Sequence, residues 1–151
     1  MYELKLATNE HIDSILYLLK EFYKSSPYAH LPYDDLKVHE LINTLLTSSK
    51  EDKIIILGTK DNIPIGLIIG QTTQSVFANQ KIGLELAWWV DPEHRGSSIG
   101  LKLLRAYEDW CLRVGCQIIQ MSLLGPSQAI LGPIYERLGY RLIEQAYFKE
   151  I

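Results

Sequence analysis

Residues 81–114 pass from an apolar strand pattern, KIGLELAWWV, through the polar loop DPEHRGSSIG into an amphipathic helix, and this constrains the fold more than any other stretch. From 98 to 114, Ile99, Leu103, Ala106, Tyr107, Trp110, Cys111 and Val114 recur at helical spacing on one face. Lys102, Arg105, Asp109 and Arg113 fall mostly elsewhere, and Gly115 is a natural stop. A strand feeding tightly into such a helix implies a helix packed on a sheet. The class expected is therefore α/β (α+β).

The flanking sequence supplies the rest of the layers. Residues 2–7 alternate as a short first strand, Thr8 or Asn9 caps a helix, and Ile12, Ile15, Leu16, Leu19, Phe22 and Tyr23 form its apolar stripe. Pro27 and Pro32 break the pattern, which resumes with Val38, Leu41, Ile42, Leu45 and Leu46 on a second helix opening near Asp34. The β-branched runs 53–59 and 63–71, joined by Lys60, Asp61 and Asn62, predict a hairpin. Beyond the central helix we expect a strand over 117–123, a helix over 127–138 despite Gly132 and Pro133, and a pair of short strands over 140–151. No linker or repeat divides residues 1–151, so one domain is expected.

Composition excludes several classes of function. With 15 Lys+Arg against 18 Asp+Glu, the net charge of −3 gives no general attraction to nucleic acid, and no basic run is present. The longest apolar stretches are far shorter than the roughly 20 residues needed to cross a bilayer, and the N-terminus lacks a secretory apolar core. Cys111 and Cys116 make neither a zinc pattern nor a disulfide framework, and the four His and the carboxylates form no ligand cluster, so no metal is expected. The simplest location is the reducing cytoplasm. No Gly-x-Ser-x-Gly context points to an acyl-enzyme hydrolase.

The 91–100 loop carries the chemistry. It places the backbone N–H groups from Gly96 to Gly100 (Gly96, Ser97, Ser98, Ile99, Gly100) at a helix N-terminus, which binds anions. Two glycines allow close approach, and Arg95 can add a charge-assisted bond, so the arrangement suits a pyrophosphate. Neither a Walker ending nor a three-glycine dinucleotide fingerprint is present. On spacing alone, a plain turn remains equally open. Glu85, interrupting an apolar strand, is a candidate general base whose pKa burial would raise; a solvated edge position or an ion pair is the other reading. Trp88 and Trp89 point to opposite faces of that strand, one toward a cleft and one toward the core, according to register.

The run VDPEHRGSSIGLKLL resembles the GNAT acetyltransferase signature, Arg/Gln-x-x-Gly-x-Gly/Ala after a strand-ending Val. Arg95 and Gly100 match, while Ser98 stands where that family most often has glycine. The later segment IYERLGY and the order of elements resemble the family almost end to end. The resemblance implies a mixed, mostly antiparallel twisted sheet of six to seven strands with about four helices on its faces. It implies acetyl-CoA as co-substrate, lying between strands 81–90 and 117–123, with pantetheine on the backbone near Trp88 and Val90. Tyr135 would face the thioester sulfur as general acid, and Gln128, with Ser127, occupies the neighbourhood where the family often has an Asn. The loop containing Tyr28 and His30 would line the acceptor cleft.

The function so implied is direct acetyl transfer to an amine, whether a small molecule or a protein amino group. Deprotonating an alkyl ammonium at pH 7 costs roughly 4 to 5 kcal/mol, which is what a base must supply. The alternative is a CoA-binding regulatory or interaction module of the same fold without catalysis. A homodimer through the C-terminal strands is compatible with either.

Overall fold

The computed structural model describes residues 1–151, except that the side chains of Pro126 and Gln128 lie outside the described residues, and with them the expected role of Gln128. Five strands, β1 (Tyr2–Leu6), β2 (Lys53–Lys60), β3 (Ile63–Gln74), β4 (Lys81–Val90) and β5 (Ile118–Gln120), form one sheet in chain order. The first four are antiparallel and β5 runs parallel to β4. The helices are α1 (Ile12–Ser25), α2 (Asp35–Thr47), α3 (Ile99–Arg113) and α4 (Gln128–Arg137).

Local chemistry accounts for most of these boundaries. Asp34 caps α2 by accepting a hydrogen bond from the Lys37 amide at 3.1 Å, while the His11 ring accepts one from the Thr8 amide at 3.0 Å at the entrance to α1. Asp61 and Asn62 both adopt positive φ between the paired residues Lys60 and Ile63, the conformation a two-residue hairpin turn requires. The sheet then separates two cores. On one face, α1 and α2 bury Ile15, Leu18, Ile42 and Leu45 against Ile55, Leu57, Leu67, Ile69, Ala87 and Trp89. On the other, α3 buries Ile99, Leu103, Leu104, Tyr107, Trp110 and Cys111 against Ile54, Ile56, Ile65 and Ile68. Each such apolar side chain contributes on the order of 1.5 to 3 kcal/mol by leaving water.

Two expectations about strands are corrected. The sheet has five strands rather than six or seven, because residues 140–151 form no strand and residues 141–151 are exposed along their length. The strand expected over 117–123 is only Ile118–Gln120, paired with Ile82, Gly83 and Leu84. A three-residue ladder offers little edge for a further strand to extend. β4 carries the cause of the early parting. Ile69 pairs with Ala87 and Gly70 with Glu85, so Leu86 is an extra, bulged residue that bends β4 where β5 leaves it.

Candidate active site

The bulge resets which residues of β4 face which core. Gly83 faces α3, and Glu85 pairs with Gly70, whose added Cβ would also meet α3. Past Leu86, it is Trp88 and Val90 that pack on the α3 side, while Ala87 and Trp89 join the α1–α2 core. Glu85, Trp88 and Val90 therefore share one face although their numbers differ in parity. Beyond Leu84 the ladder to β5 stops, so the β4 edge from Glu85 to Val90 borders an opening rather than a neighbouring strand.

Tyr135 on α4 closes the far side of that opening. Its ring is tilted against Trp88 at 6.2 Å and against Tyr140 at 5.5 Å, and its hydroxyl donates to the Ser122 carbonyl at 3.3 Å, just after β5. Burial, with the nearby Glu85 charge adding to it, raises the phenol above its ordinary value, so it stays protonated throughout the neutral range. Burial likewise pushes the Glu85 carboxyl up to about 7, against a smaller opposing pull from the Ser122 backbone. Trp88 Nε1 is buried and has no hydrogen-bond partner among the described residues.

At the end of β4, Arg95 lies flat over Trp89, its guanidinium carbon 4.4 Å from the ring centroid, and its Nε donates to the Val90 carbonyl at 2.9 Å. The terminal nitrogens of Arg95 have no protein partner among the described residues. Gly96 adopts a φ of +83°, which a side chain would strain, and a Cβ there would enter open space. Ser97 is tied to the turn: its hydroxyl donates to the His94 carbonyl at 2.6 Å and faces the Ile99 amide at 3.4 Å. Ser98 is the N-cap of α3 with no side-chain capping bond, and the Ile99 side chain is fully buried in the α3 core. The amides of Gly96, Ser98, Gly100 and Leu101 find no acceptor among the described residues. At Gly100 an added Cβ would come no nearer than 3.8 Å to protein atoms, so packing alone does not demand glycine there. A row of free amides, a helix N-terminus and an exposed guanidinium fit a pyrophosphate.

The structure thus brings together Glu85, Trp88, Val90 and Tyr135 and places Arg95 to Gly100 at the next turn. Tyr28 and His30 make their described side-chain contacts with the C-terminal segment. Phe148 stacks on both rings, at 5.9 and 5.8 Å, and His30 Nε2 pairs with the Glu150 carboxylate. Sequence reading missed Phe148 and Glu150, whose contact with Tyr28 and His30 spans more than a hundred residues and leaves no periodic signal. His94 is half-buried and shares a 3.2 Å hydrogen bond with the Tyr2 hydroxyl. Among the described residues no group of three or more His, Cys, Asp or Glu could hold a metal ion, and no helix is long and apolar enough to cross a membrane.

The sheet thus parts between β4 and β5, with a turn of free amides at the end of the parting strand. The sequence model of the acetyltransferase (GNAT) family matches residues 12–140, and the chain belongs to that family. No curated protein matches the sequence. Solved structures of the same fold include glucosamine-6-phosphate N-acetyltransferase from Arabidopsis thaliana, at 14% identity and TM-score 0.76, with 99% of this chain and 98% of that one covered. AAC(6')-Iy in complex with a CoA-S-monomethyl-acetylneamine bisubstrate analogue aligns at 16% identity and TM-score 0.76, covering 100% and 98%. A transcriptional regulator from Bacillus halodurans aligns at 13% identity and TM-score 0.81 over 100% of both chains.

Proposed function

We propose that the chain transfers an acetyl group from acetyl-CoA to an amine by direct attack in a ternary complex. The carrying observation is the placement of Glu85: it stands where β4 and β5 part, on the same face as Tyr135 and Trp88, with its carboxyl poised near neutrality. The free amides of the Gly96–Leu101 turn and the Arg95 guanidinium hold the pyrophosphate, and the unpaired β4 edge near Trp88 and Val90 receives the pantetheine. Backbone donors along that edge polarise the thioester carbonyl.

Glu85 removes a proton from the acceptor ammonium, for which a pKa near the working pH is the best match. The amine then attacks the acyl carbon, the electron pair of the C–S bond leaves with sulfur as thiolate, and the new amide nitrogen loses its extra proton to solvent. Tyr135, kept protonated, donates a hydrogen bond to the departing thiolate after its hydroxyl turns from the Ser122 carbonyl. The acceptor is an amine, and its cleft is bounded by Tyr28 and His30 together with Phe148, which stacks on both.

The test is calorimetric titration with acetyl-CoA, followed by turnover on amines of several classes: aminoglycosides, amino sugars, polyamines and peptides with a free amino group. Micromolar binding that disappears in an Arg95→Ala, Gly100→Trp double variant, with turnover lost in Glu85→Gln, is the expected result. Absence of binding at millimolar acetyl-CoA sinks the reading, whereas binding without transfer to any amine favours a CoA-binding module without catalysis.

A further inference from the structure

β1 is an outer strand of the sheet, paired on one side only, with β2. The Ala7 amide donates to the Ile55 carbonyl at 3.0 Å and the Asp61 amide to the Met1 carbonyl at 3.4 Å, which fixes the alternation of the ladder. Odd-numbered residues of this stretch bond β2, so the N–H and C=O groups of Tyr2, Leu4 and Leu6 point to the open edge. Among the described residues, the partner these groups meet there is Lys102, whose Nζ donates to the Tyr2 carbonyl at 3.3 Å. The strand carries no bulge and no proline, and Leu4 and Leu6 are 38% and 49% exposed, so its backbone is open to a further strand.

The same edge borders a groove. Tyr2 packs into the α3 core and Ala7 into the α1–α2 core, so the side chains of Tyr2, Leu4 and Leu6 share the α3 face while Glu3 and Lys5 share the other. Between the α3 face of β1 and α3 itself runs an open channel lined by Leu4, Leu6, Ile54, Ala106 and Trp110, with Leu101 exposed beside it.

An extended chain laid on this edge must pair with Tyr2, Leu4 and Leu6, offer apolar side chains on the groove side, and meet Glu3 and Lys5 with opposite charges. β1 itself, reversed, does all of this. An antiparallel copy centred on Leu4 sets Leu4 against Leu4, Tyr2 against Leu6, and Glu3 against Lys5 in both directions. Charge and length select that register. Centring on Glu3 or on Lys5 puts like charges opposite each other, and centring on Tyr2 or Leu6 leaves Leu4 with no strand residue opposite. The two-fold axis through Leu4 stands perpendicular to the sheet, so both α3 helices lie on one side of it and the two grooves meet across the joint.

We propose that β1 is a self-complementary dimerisation edge, through which two copies of the chain join antiparallel about Leu4 into one continuous sheet. The existing contacts of the strand are compatible with the second copy. The Tyr2 carbonyl has a lone pair for the Leu6 amide of the second copy besides the one Lys102 uses, and the Lys5 ammonium, which donates to Asn62 Oδ1 at 2.9 Å, keeps donors for Glu3 of the second copy.

The experiment is sedimentation velocity of the full chain over about 1 to 200 μM, with far-ultraviolet circular dichroism to verify folding. Wild type is expected to pass from monomer to dimer in that range. Glu3→Lys, which sets a lysine against Lys5, should weaken association by about tenfold or more, and Lys5→Glu should do the same from the other side if the first variant does not fold. Reversing both charges, Glu3→Lys with Lys5→Glu, restores opposite pairs and should restore the dimer. A monomer at every concentration overturns the proposal. So does a dimer indifferent to either single change, which would place the contact on another surface such as the C-terminal segment, and so does a folded double variant that stays monomeric.

Discussion

On the proposal that Glu85 is the base, its one ionisation bears on both activity and stability. Because the carboxyl titrates at about 7 and the base must be ionised, kcat/KM is expected to rise about tenfold per pH unit below that value and flatten above it. In Glu85→Gln this limb should vanish, with activity lower by about 10² to 10⁴. A steady-state pH profile of the two proteins checks both. The folded-state pKa lies above the ordinary 4.5, so the folded protein holds this proton more tightly than the unfolded chain. That contribution is fully present below about pH 4.5 and is lost as pH rises through about 7. Glu85→Gln should therefore melt higher than wild type at pH 8, by an amount corresponding to no more than about 3 kcal/mol, with the gap closing toward pH 4.5. For Tyr135→Phe a loss of about 10² in kcat is expected, since a thiolate is already a fair leaving group and a phenol of raised pKa assists by hydrogen bonding.

Among the elements, the turn into α3 separates two kinds of glycine. Gly100 lies inside the helix with ordinary contact distances around an added methyl, so Gly100→Ala should stabilise the protein by about 0.5 to 1 kcal/mol and leave acetyl-CoA affinity within a few-fold. Gly96, at φ +83°, should respond oppositely: Gly96→Ala strains the turn by about 1 kcal/mol and weakens binding by misaiming the free amides. Thermal melts and calorimetric titration of the two variants separate these effects. The strand–turn–helix was legible because periodicity, glycines and Arg95 all pointed to one structure. The face assignment in β4 was not. Strict alternation would put Glu85 with Trp89, whereas the bulged Leu86 puts Glu85 with Trp88, and a bulge is decided by pairing with β3 rather than by any residue type in β4.

Over the whole molecule, the C-terminal segment crosses back to the loop between α1 and α2. Residues 141–151 are exposed, and their described contacts there are the stacking of Phe148 on Tyr28 and His30 and the Glu150 pair with His30. Exposed contacts of this kind contribute little to stability, so Phe148→Ala should change unfolding free energy by less than about 1 kcal/mol. If Tyr28 and His30 bound the acceptor cleft, the same variant should alter the acceptor KM several-fold while leaving the acetyl-CoA KM unchanged. Steady-state kinetics in both substrates distinguishes this from a general loss of fold.

The sequence by itself determined the helices, the hairpin, and the glycine turn with its arginine, because each rests on local periodicity, capping or backbone conformation. It also placed Glu85 and Tyr135 as chemically apt residues. Tertiary structure alone decided that these two share an opening, that β5 ends after three residues, and that residues 140–151 form no strands. These outcomes depend on which edges and faces meet across the sheet. That is a matter of long-range pairing energy, which residues read in order along a chain do not carry.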